Sequence, residues 1–362
     1  MYTVLAAQPP AVCARAAARQ TQTPSAHDAF ASVGFDNSFN HEQFLKNMEV
    51  DVQAMSDTEL IFDLKGVDAP IANAFRRVLL SEVPTMAIEI VAMLDNTSII
   101  QDEVLSHRLG LVPIKVDPAL FEMAAKREYE HEGVPQIEID DEGNFGELDE
   151  KTTIVMTLDV TCAAVEGADQ DAGPEEKYEH SSVYSGSLQW EPIGNQKERI
   201  RGGVAPVHKD ILLAKLRPGQ RIKARMLVEK GVGGTHAKWS PVATVSYKLH
   251  PDIQVSKTVQ DDLAEELVAK CPMKVFDIED LGNGHTGVNV ANPRNCSMCR
   301  ECIREPEWQD RVELMRIRDH FIFSVESTGV LPPADLFVQA LEILQFKCDR
   351  IMNQLEQLEE KA

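Results

Sequence analysis

Four cysteines in the last third of the chain are the residues best suited to chemistry. Cys296, Cys299 and Cys302 form a C-x2-C-x2-C run, and Cys271 lies upstream of them. Thiolates spaced in this way can turn toward a common centre, and so dense a run of cysteines is hard to explain as packing. The pattern therefore predicts a metal site formed by Cys271, Cys296, Cys299 and Cys302.

The spacing alone leaves the metal open. In bacterial-type ferredoxins the run continues to a fourth cysteine followed by proline, and that cysteine serves a second cluster. Here the local fourth position is Pro306, whereas Cys271 precedes Pro272 and can supply the missing ligand from a distance. A [4Fe-4S] cluster, a zinc ion and a site without metal remain the alternatives. Because no substrate-binding constellation accompanies the cysteines, we expect any metal to be structural.

Other residue patterns give no support for catalysis. Ser240, Ser324 and Ser327 lack the G-x-S-x-G setting of an activated serine. The glycines at 231, 233 and 234 precede a strand, whereas a phosphate-binding loop needs Lys-Ser/Thr and a helix at that place. We therefore predict a turn or bulge at these glycines, and a protein that is not itself an enzyme.

Residues 69–94 predict a helix followed by a strand. Pro70 suits the first turn of a helix, and Pro84 forbids its continuation. Alternate residues from Met86 to Leu94 are then apolar, as in a strand. Within the helix, apolar residues recur with the spacing of one buried face. This face consists of Ile71, Ala74, Phe75, Val78 and Leu79.

A long apolar seam marks the last helix. Its residues are spaced alternately by four and three, which is a heptad-like repeat. Each fully buried large side chain contributes about 1.5 to 3 kcal/mol, so exposing the whole seam would outweigh the stability of most domains. The chain's own sheet takes part of the seam, and we predict that a partner helix covers the rest. The seam comprises Phe337, Leu341, Leu344, Cys348, Ile351, Leu355 and Leu358.

Composition and charge exclude several classes of protein. With 36 basic and 58 acidic residues, the formal net charge of -22 opposes close contact with a phosphate backbone. No apolar run approaches the roughly 18 to 20 residues needed to cross a bilayer. The 7 cysteines, an odd number without a secretory signal, favour a reducing compartment over a disulfide framework. We therefore expect protein partners, with neither nucleic acid nor membrane as a direct one.

Alternating apolar residues predict several strands along the chain. They indicate a β-hairpin over residues 48–64 and further strands over 154–160, 211–216, 221–229, 241–249 and 321–325. A short helix is predicted over 261–270, and a loop is predicted around Gly282, Gly284 and Gly287.

Three segments have the composition of solvated chain. Residues 1–44 predict a disordered tail, with an organelle transit peptide as the alternative for its Ala-rich start. The acidic stretches 126–151 and 165–179 predict loops that hang from a sheet.

Four motifs resemble the alpha-type assembly subunits of multisubunit RNA polymerases. They are NAFRRVLLSEVPTMAIE from Asn73, DEVLSHRLGLVPI from Asp102, KGVGGTHAKWSPVATVSY from Lys230 and DHFIFSVESTGVLPP from Asp319. The resemblance covers most of the chain and is strongest to the form shared by eukaryotic RNA polymerases I and III. The RNA polymerase II form carries a zinc-binding cysteine cluster in its β-rich insert, where this chain has only Cys162.

The resemblance implies an α+β fold with three parts. A discontinuous dimerisation domain (45–95 and 246–362) would be interrupted by a β-rich insert (96–245) and would carry a small ferredoxin-like cysteine subdomain (271–310). Several relatives, notably archaeal ones, hold an iron-sulfur cluster at this place, and the four cysteines resemble that ligand set.

The resemblance also implies a noncatalytic function. The chain would form a heterodimer with a smaller alpha-like subunit, and the dimer would be the platform for the two large catalytic subunits. Its location would be the nucleus, including the nucleolus, in support of rRNA, 5S rRNA and tRNA transcription. The aspartate motif NADFDGD, which holds magnesium in polymerase active centres, is absent. An iron-sulfur electron carrier or a metal-binding adaptor is the alternative from a different class.

Two helices would form the implied dimer interface. The candidate residues are Ile71, Ala74, Phe75, Val78, Leu79, Phe337, Leu341, Leu344, Ile351 and Leu355.

Overall fold

The computed structural model describes residues 40–124, 139–140, 143–165, 173, 177–282 and 284–359. Much of the two predicted acidic loops, and the predicted tail as far as residue 39, lie outside these ranges. The end of the segment predicted to be a disordered tail is helical, because a helix begins at His41. The Asn40 side chain caps this helix by accepting a hydrogen bond from the backbone N–H of Gln43.

Helices and antiparallel sheets alternate along the chain, which confirms the α+β class. The helices are α1 (His41–Asn47), α2 (Ala69–Ser81), α3 (Asp102–Gly110), α4 (Gln196–Arg199), α5 (Asp262–Lys270), α6 (Pro306–Gln309) and α7 (Pro333–Glu359). The first strands are β1 (Glu49–Met55), β2 (Glu59–Lys65), β3 (Pro84–Asn96), β4 (Ile114–Lys115), β5 (Thr153–Thr161), β6 (Ala163–Ala164), β7 (Tyr178–Glu179) and β8 (Ser182–Tyr184). The remaining strands are β9 (Gln189–Glu191), β10 (Ala205–Pro206), β11 (Leu212–Lys215), β12 (Arg221–Val232), β13 (Val242–Val255), β14 (Phe276–Gly282), β15 (His285–Val290) and β16 (Val312–Ser327).

The chain divides into two compact units. One comprises the described residues up to Met55, Leu60–Arg76 and Ser246–Ser324, and the other comprises Ser56–Glu59, Arg77–Val245 and the residues from Val325 onward. The predicted division into a dimerisation domain, a β-rich insert and a ferredoxin-like subdomain remains a prediction. None of the described helices is long and apolar enough to span a bilayer.

The first unit is built on a four-stranded sheet in the order β1–β2–β16–β13. The predicted hairpin is confirmed, with Val50 opposite Leu64 and Val52 opposite Phe62. The ring of Phe62 stacks on that of Phe323, with centroids 5.1 Å apart. Aromatic stacking of this kind adds to the burial of the rings and ties β2 to β16.

A second hydrophobic cluster of this unit surrounds the buried Trp308. Leu267 of α5 and Phe276 of β14 belong to this cluster. The loop predicted around the three glycines is wrong, because β14 and β15 pair as an antiparallel hairpin whose turn contains Gly282 and Gly284. Apolar alternation in β14 is limited to Phe276 and Ile278, which is too short a pattern to indicate a strand, and the residues after Phe276 are exposed.

The second unit is built on a sheet in the order β3–β12–β5–β9. Strand β12 is central, since it pairs along its length with β3 on one side and with β5 on the other. Side chains from both of its faces are buried in apolar clusters, with Met226 and Val228 in one and Leu227 in the other. Because both faces are covered, no residue of β12 is fully exposed to solvent.

The glycines at 231, 233 and 234 make room for the end of β12. A Cβ atom on Gly231 would lie 2.3 Å from the ring of Trp239, and one on Gly233 would lie 2.2 Å from the carbonyl oxygen of Leu80. The Trp239 ring is buried, and its Nε1–H donates to the carbonyl oxygen of Glu229 at 3.0 Å. The predicted turn is found at Gly233 and Gly234, whereas Gly231 lies within β12, where its lack of a side chain admits the Trp239 ring.

We expect Gly231→Ala to lower the free energy of unfolding by about 1 to 3 kcal/mol, because the new methyl group overpacks a buried indole. Urea-induced unfolding followed by circular dichroism measures this change. Gly287→Ala is the matched control, since its Cβ would meet only the flexible side chain of the exposed Leu281. Equal stability of the two variants would contradict the packing assignment.

Candidate functional site

Helix α7 carries an apolar surface that its own chain leaves open. Near its start Leu336 and Ala340 are fully buried. From Cys348 to Leu358 every side chain is exposed, including Ile351 at 55%, Leu355 at 51% and Leu358 at 63%. We call Ile351, Met352, Leu355 and Leu358 the distal seam.

The distal seam is energetically unfavourable in an isolated chain. Each large apolar side chain of the seam would contribute about 1.5 to 3 kcal/mol if it became fully buried. The distal half of α7 therefore needs a surface to pack against.

The predicted interface residues on the two helices differ in exposure. On α7, Leu341, Ile351 and Leu355 are exposed, and Phe337 and Leu344 are half-buried. On α2, Phe75, Val78 and Leu79 are buried within the chain, whereas Ile71 and Ala74 are half-buried. The α2 stripe therefore presents little surface in the free chain, and its contact with a partner remains a prediction.

An ion pair holds the middle of α7. Lys347 donates to the Glu82 carboxylate, just beyond the end of α2. Both side chains are partly exposed, so the pair contributes at most about 1 kcal/mol. The ion pair therefore adds little to the stability of α7.

The four predicted cysteine ligands line one pocket. Cys302 is buried, Cys271 and Cys296 are half-buried, and Cys299 is exposed. The rest of the wall is mainly apolar, with Ile253, Val275 and Leu314 among its residues. The fold thus brings Cys271 to the C-x2-C-x2-C run, and metal binding by the four cysteines remains a prediction.

Two residues of the cysteine run have positive φ angles, a backbone conformation that residues other than glycine rarely adopt. Met298 and Arg300, which flank Cys299, both have positive φ angles, 59° and 66°. The backbone N–H of Met298 donates to the Cys296 sulfur at 3.4 Å. Non-glycine residues with positive φ carry a conformational cost and cluster at functional sites. Here that backbone turns the thiols toward one pocket.

Burial and the neighbouring cysteines disfavour the thiolate form of Cys302. Burial, followed by the proximity of Cys296, Cys271 and Cys299, raises the pKa of the Cys302 thiol to about 11. Metal ligation requires thiolates, and a bound cation supplies the positive charge that permits deprotonation. The donor set therefore suits a metal centre and would be unfavourable as four free thiolates.

The donor set leaves the kind of metal open. Four thiolates bind a tetrahedral zinc ion with bonds of about 2.3 Å. They also bind an iron-sulfur cluster, in which each cysteine binds a different iron atom.

A buried charged network that sequence reasoning missed lies beside the cysteine run. The Asp63 carboxylate of β2 accepts hydrogen bonds from Arg294 Nη1 at 2.7 and 2.6 Å and from His320 Nε2 at 2.9 Å. Burial alone would raise the pKa of Asp63, but these hydrogen bonds outweigh it and lower the pKa below its usual value. Asp63 and Arg294 are 231 positions apart, and no local pattern links them.

Comparison with known proteins gives consistent matches. A family profile described as the RNA polymerase Rpb3/Rpb11 dimerisation domain matches residues 61–348. The Dictyostelium discoideum protein "DNA-directed RNA polymerases I and III subunit rpac1" is 43% identical over 91% of this chain and 88% of its own length. The Bos taurus protein "DNA-directed RNA polymerases I and III subunit RPAC1" is 46% identical over 89% of each chain.

A polymerase II subunit is less similar. The Dictyostelium discoideum "DNA-directed RNA polymerase II subunit rpb3" is 30% identical over 86% of this chain and 96% of its own length. The profile match extends from β2 into α7, and the relatives cover nearly the whole chain. The chain therefore belongs to the RNA polymerase Rpb3/Rpb11 dimerisation domain family.

Proposed function

We propose that this chain is a noncatalytic assembly subunit of RNA polymerases I and III. The observation that carries the proposal is the exposed distal seam of α7 in a chain of a dimerisation family. The higher identity to subunits named for polymerases I and III than to the polymerase II subunit favours this form. These relatives are polymerase subunits, and they lend no support to an electron-transfer function.

A smaller alpha-like subunit is the proposed partner for the seam. It would supply an apolar helix face that covers Ile351, Leu355 and Leu358. The resulting heterodimer would be the platform on which the two large catalytic subunits assemble. Such a role places the chain in the nucleus, including the nucleolus, in support of rRNA, 5S rRNA and tRNA transcription.

The overall charge supports a position away from the template. A formal charge of -22 is unfavourable beside a phosphate backbone. Direct nucleic-acid contact is therefore not part of the proposed role.

We expect Ile351→Asp with Leu355→Asp to abolish copurification of a tagged chain with the small alpha-like subunit, because two desolvated carboxylates would face an apolar helix. Affinity capture and mass spectrometry measure the loss. Asn353→Asp with Gln357→Asp is the matched control, since these residues occupy the opposite face of the same helical turns. Unchanged capture by the seam variant would refute the proposal, and so would a seam that is covered by a second copy of the chain.

We further propose that Cys271, Cys296, Cys299 and Cys302 hold a [4Fe-4S] cluster with a structural role. Their convergence on one pocket and the backbone N–H donated to the Cys296 sulfur support a metal centre, and the C-x2-C-x2-C run with a distant Cys-Pro resembles the ligand spacing of ferredoxins. When bound, the cluster would supply positive charge to four thiolates and cross-link the segments around Cys271 and Cys299. The residues themselves supply the four thiolate ligands and a mainly apolar wall.

We expect anaerobically purified protein to contain iron and sulfide, and Cys296→Ser with Cys299→Ser to lose both, because two of the four ligands are gone. Absorption and EPR spectra together with iron and sulfide analysis measure the loss. Cys348→Ser removes an exposed thiol on α7 and should leave the content unchanged. Zinc instead of iron in the wild-type protein, or no metal, would contradict the cluster.

A further inference from the structure

Arg294 connects the cysteine run to the sheet of the first unit. Its guanidinium group binds both oxygens of the buried Asp63 on β2. Its carbonyl oxygen accepts a hydrogen bond from Lys248 Nζ of β13 at 2.6 Å. The residue is therefore held by two different strands.

Arg294 lies in the tight turn that leads directly into the first cysteine of the run. Pro293, Arg294 and Asn295 form a single 3-10 turn. The turn closes directly on the cysteine, because the backbone N–H of Cys296 donates to the carbonyl oxygen of Pro293 at 3.0 Å. A shift of Arg294 must therefore move Cys296.

The contact of Arg294 with Asp63 is strongly maintained. A buried carboxylate that loses its cationic partner is unfavourable, because burial has already removed its water. His320 would remain as a hydrogen-bond donor, and its ring is stacked on that of His250 with centroids 4.4 Å apart. The buried Asp63 carboxylate therefore favours the position in which the Arg294 guanidinium group donates to both of its oxygens.

We infer that Arg294 is a positioning residue that couples occupancy of the cysteine site to strand β2, an inference that rests on the cluster proposed above. The Asp63 and Lys248 contacts hold Cys296 where it can ligate, which raises the affinity for the cluster. Coupling of this kind is reciprocal, so the bound cluster must in turn stabilise the contact of Arg294 with Asp63.

The test uses the full chain, loaded anaerobically with equal amounts of ferrous and ferric iron and with sulfide. We expect Arg294→Gln to weaken cluster retention against a chelator by about 10-fold or more, the size of effect seen when groups that orient metal ligands are removed. Hydrogen exchange supplies the second readout. Loading should slow exchange of the peptide that contains Asp63 in the wild-type protein and leave it unchanged in Arg294→Gln.

Two further variants separate positioning from general damage. Arg304→Gln is the matched control, because Arg304 lies two residues after Cys302 as Arg294 lies two before Cys296, yet its side chain is 74% exposed. It should behave as the wild type in both readouts. Asp63→Asn removes the charge while keeping the shape, and it should reproduce the loss of retention. Exchange of β12 peptides checks that each variant is folded.

The outcomes distinguish the two proposals. The coupling would be overturned if Arg294→Gln retained the cluster as well as the wild type does. It would also be overturned if loading slowed hydrogen exchange of the Asp63 peptide equally in both proteins. Either result would leave the proposed cluster in place. A wild-type chain that takes up no cluster would overturn both.

Discussion

The distal half of α7 extends beyond the surface that its own chain provides, and this constraint shapes the interpretation of the whole molecule. Near its start the helix has two fully buried residues, Leu336 and Ala340, and from Cys348 onward it continues into a stretch in which every side chain to Leu358 is exposed. Apolar residues in that stretch are costly in water. A chain built in this way is suited to assembly with another polypeptide, which agrees with its membership of a dimerisation family.

The two compact units have different cores. One has a sheet whose central strand β12 is buried on both faces and whose glycines admit the Trp239 ring. The other combines a sheet with a cluster around Trp308 beside the cysteine pocket. In the unit that holds the cysteine pocket, two non-glycine residues between Cys296 and Cys302 have positive φ angles. Such a backbone persists only where surrounding contacts or a ligand maintain it.

Local patterns predicted the elements where a single periodicity dominates. The β1–β2 hairpin follows alternating apolar residues, and α7 follows a repeat of four and three. The β14–β15 hairpin was missed because its apolar alternation is short, with Phe276 and Ile278 in one strand and Val288 and Val290 in the other, and its glycines are typical of a loop. The α2 stripe was identified as one face of a helix, but spacing could not show that the chain itself buries Phe75, Val78 and Leu79.

By itself the sequence determined the local features: the helices and strands that one apolar periodicity marks, the cysteine run from 296 to 302 and the apolar seam of the last helix. Tertiary structure decided how much of that seam the chain covers, and it placed Arg294 against Asp63. The physical reason is the range of the interactions. Side-chain periodicity acts over a few residues, whereas burial and charge pairing depend on groups that are distant in the chain and that meet only after folding.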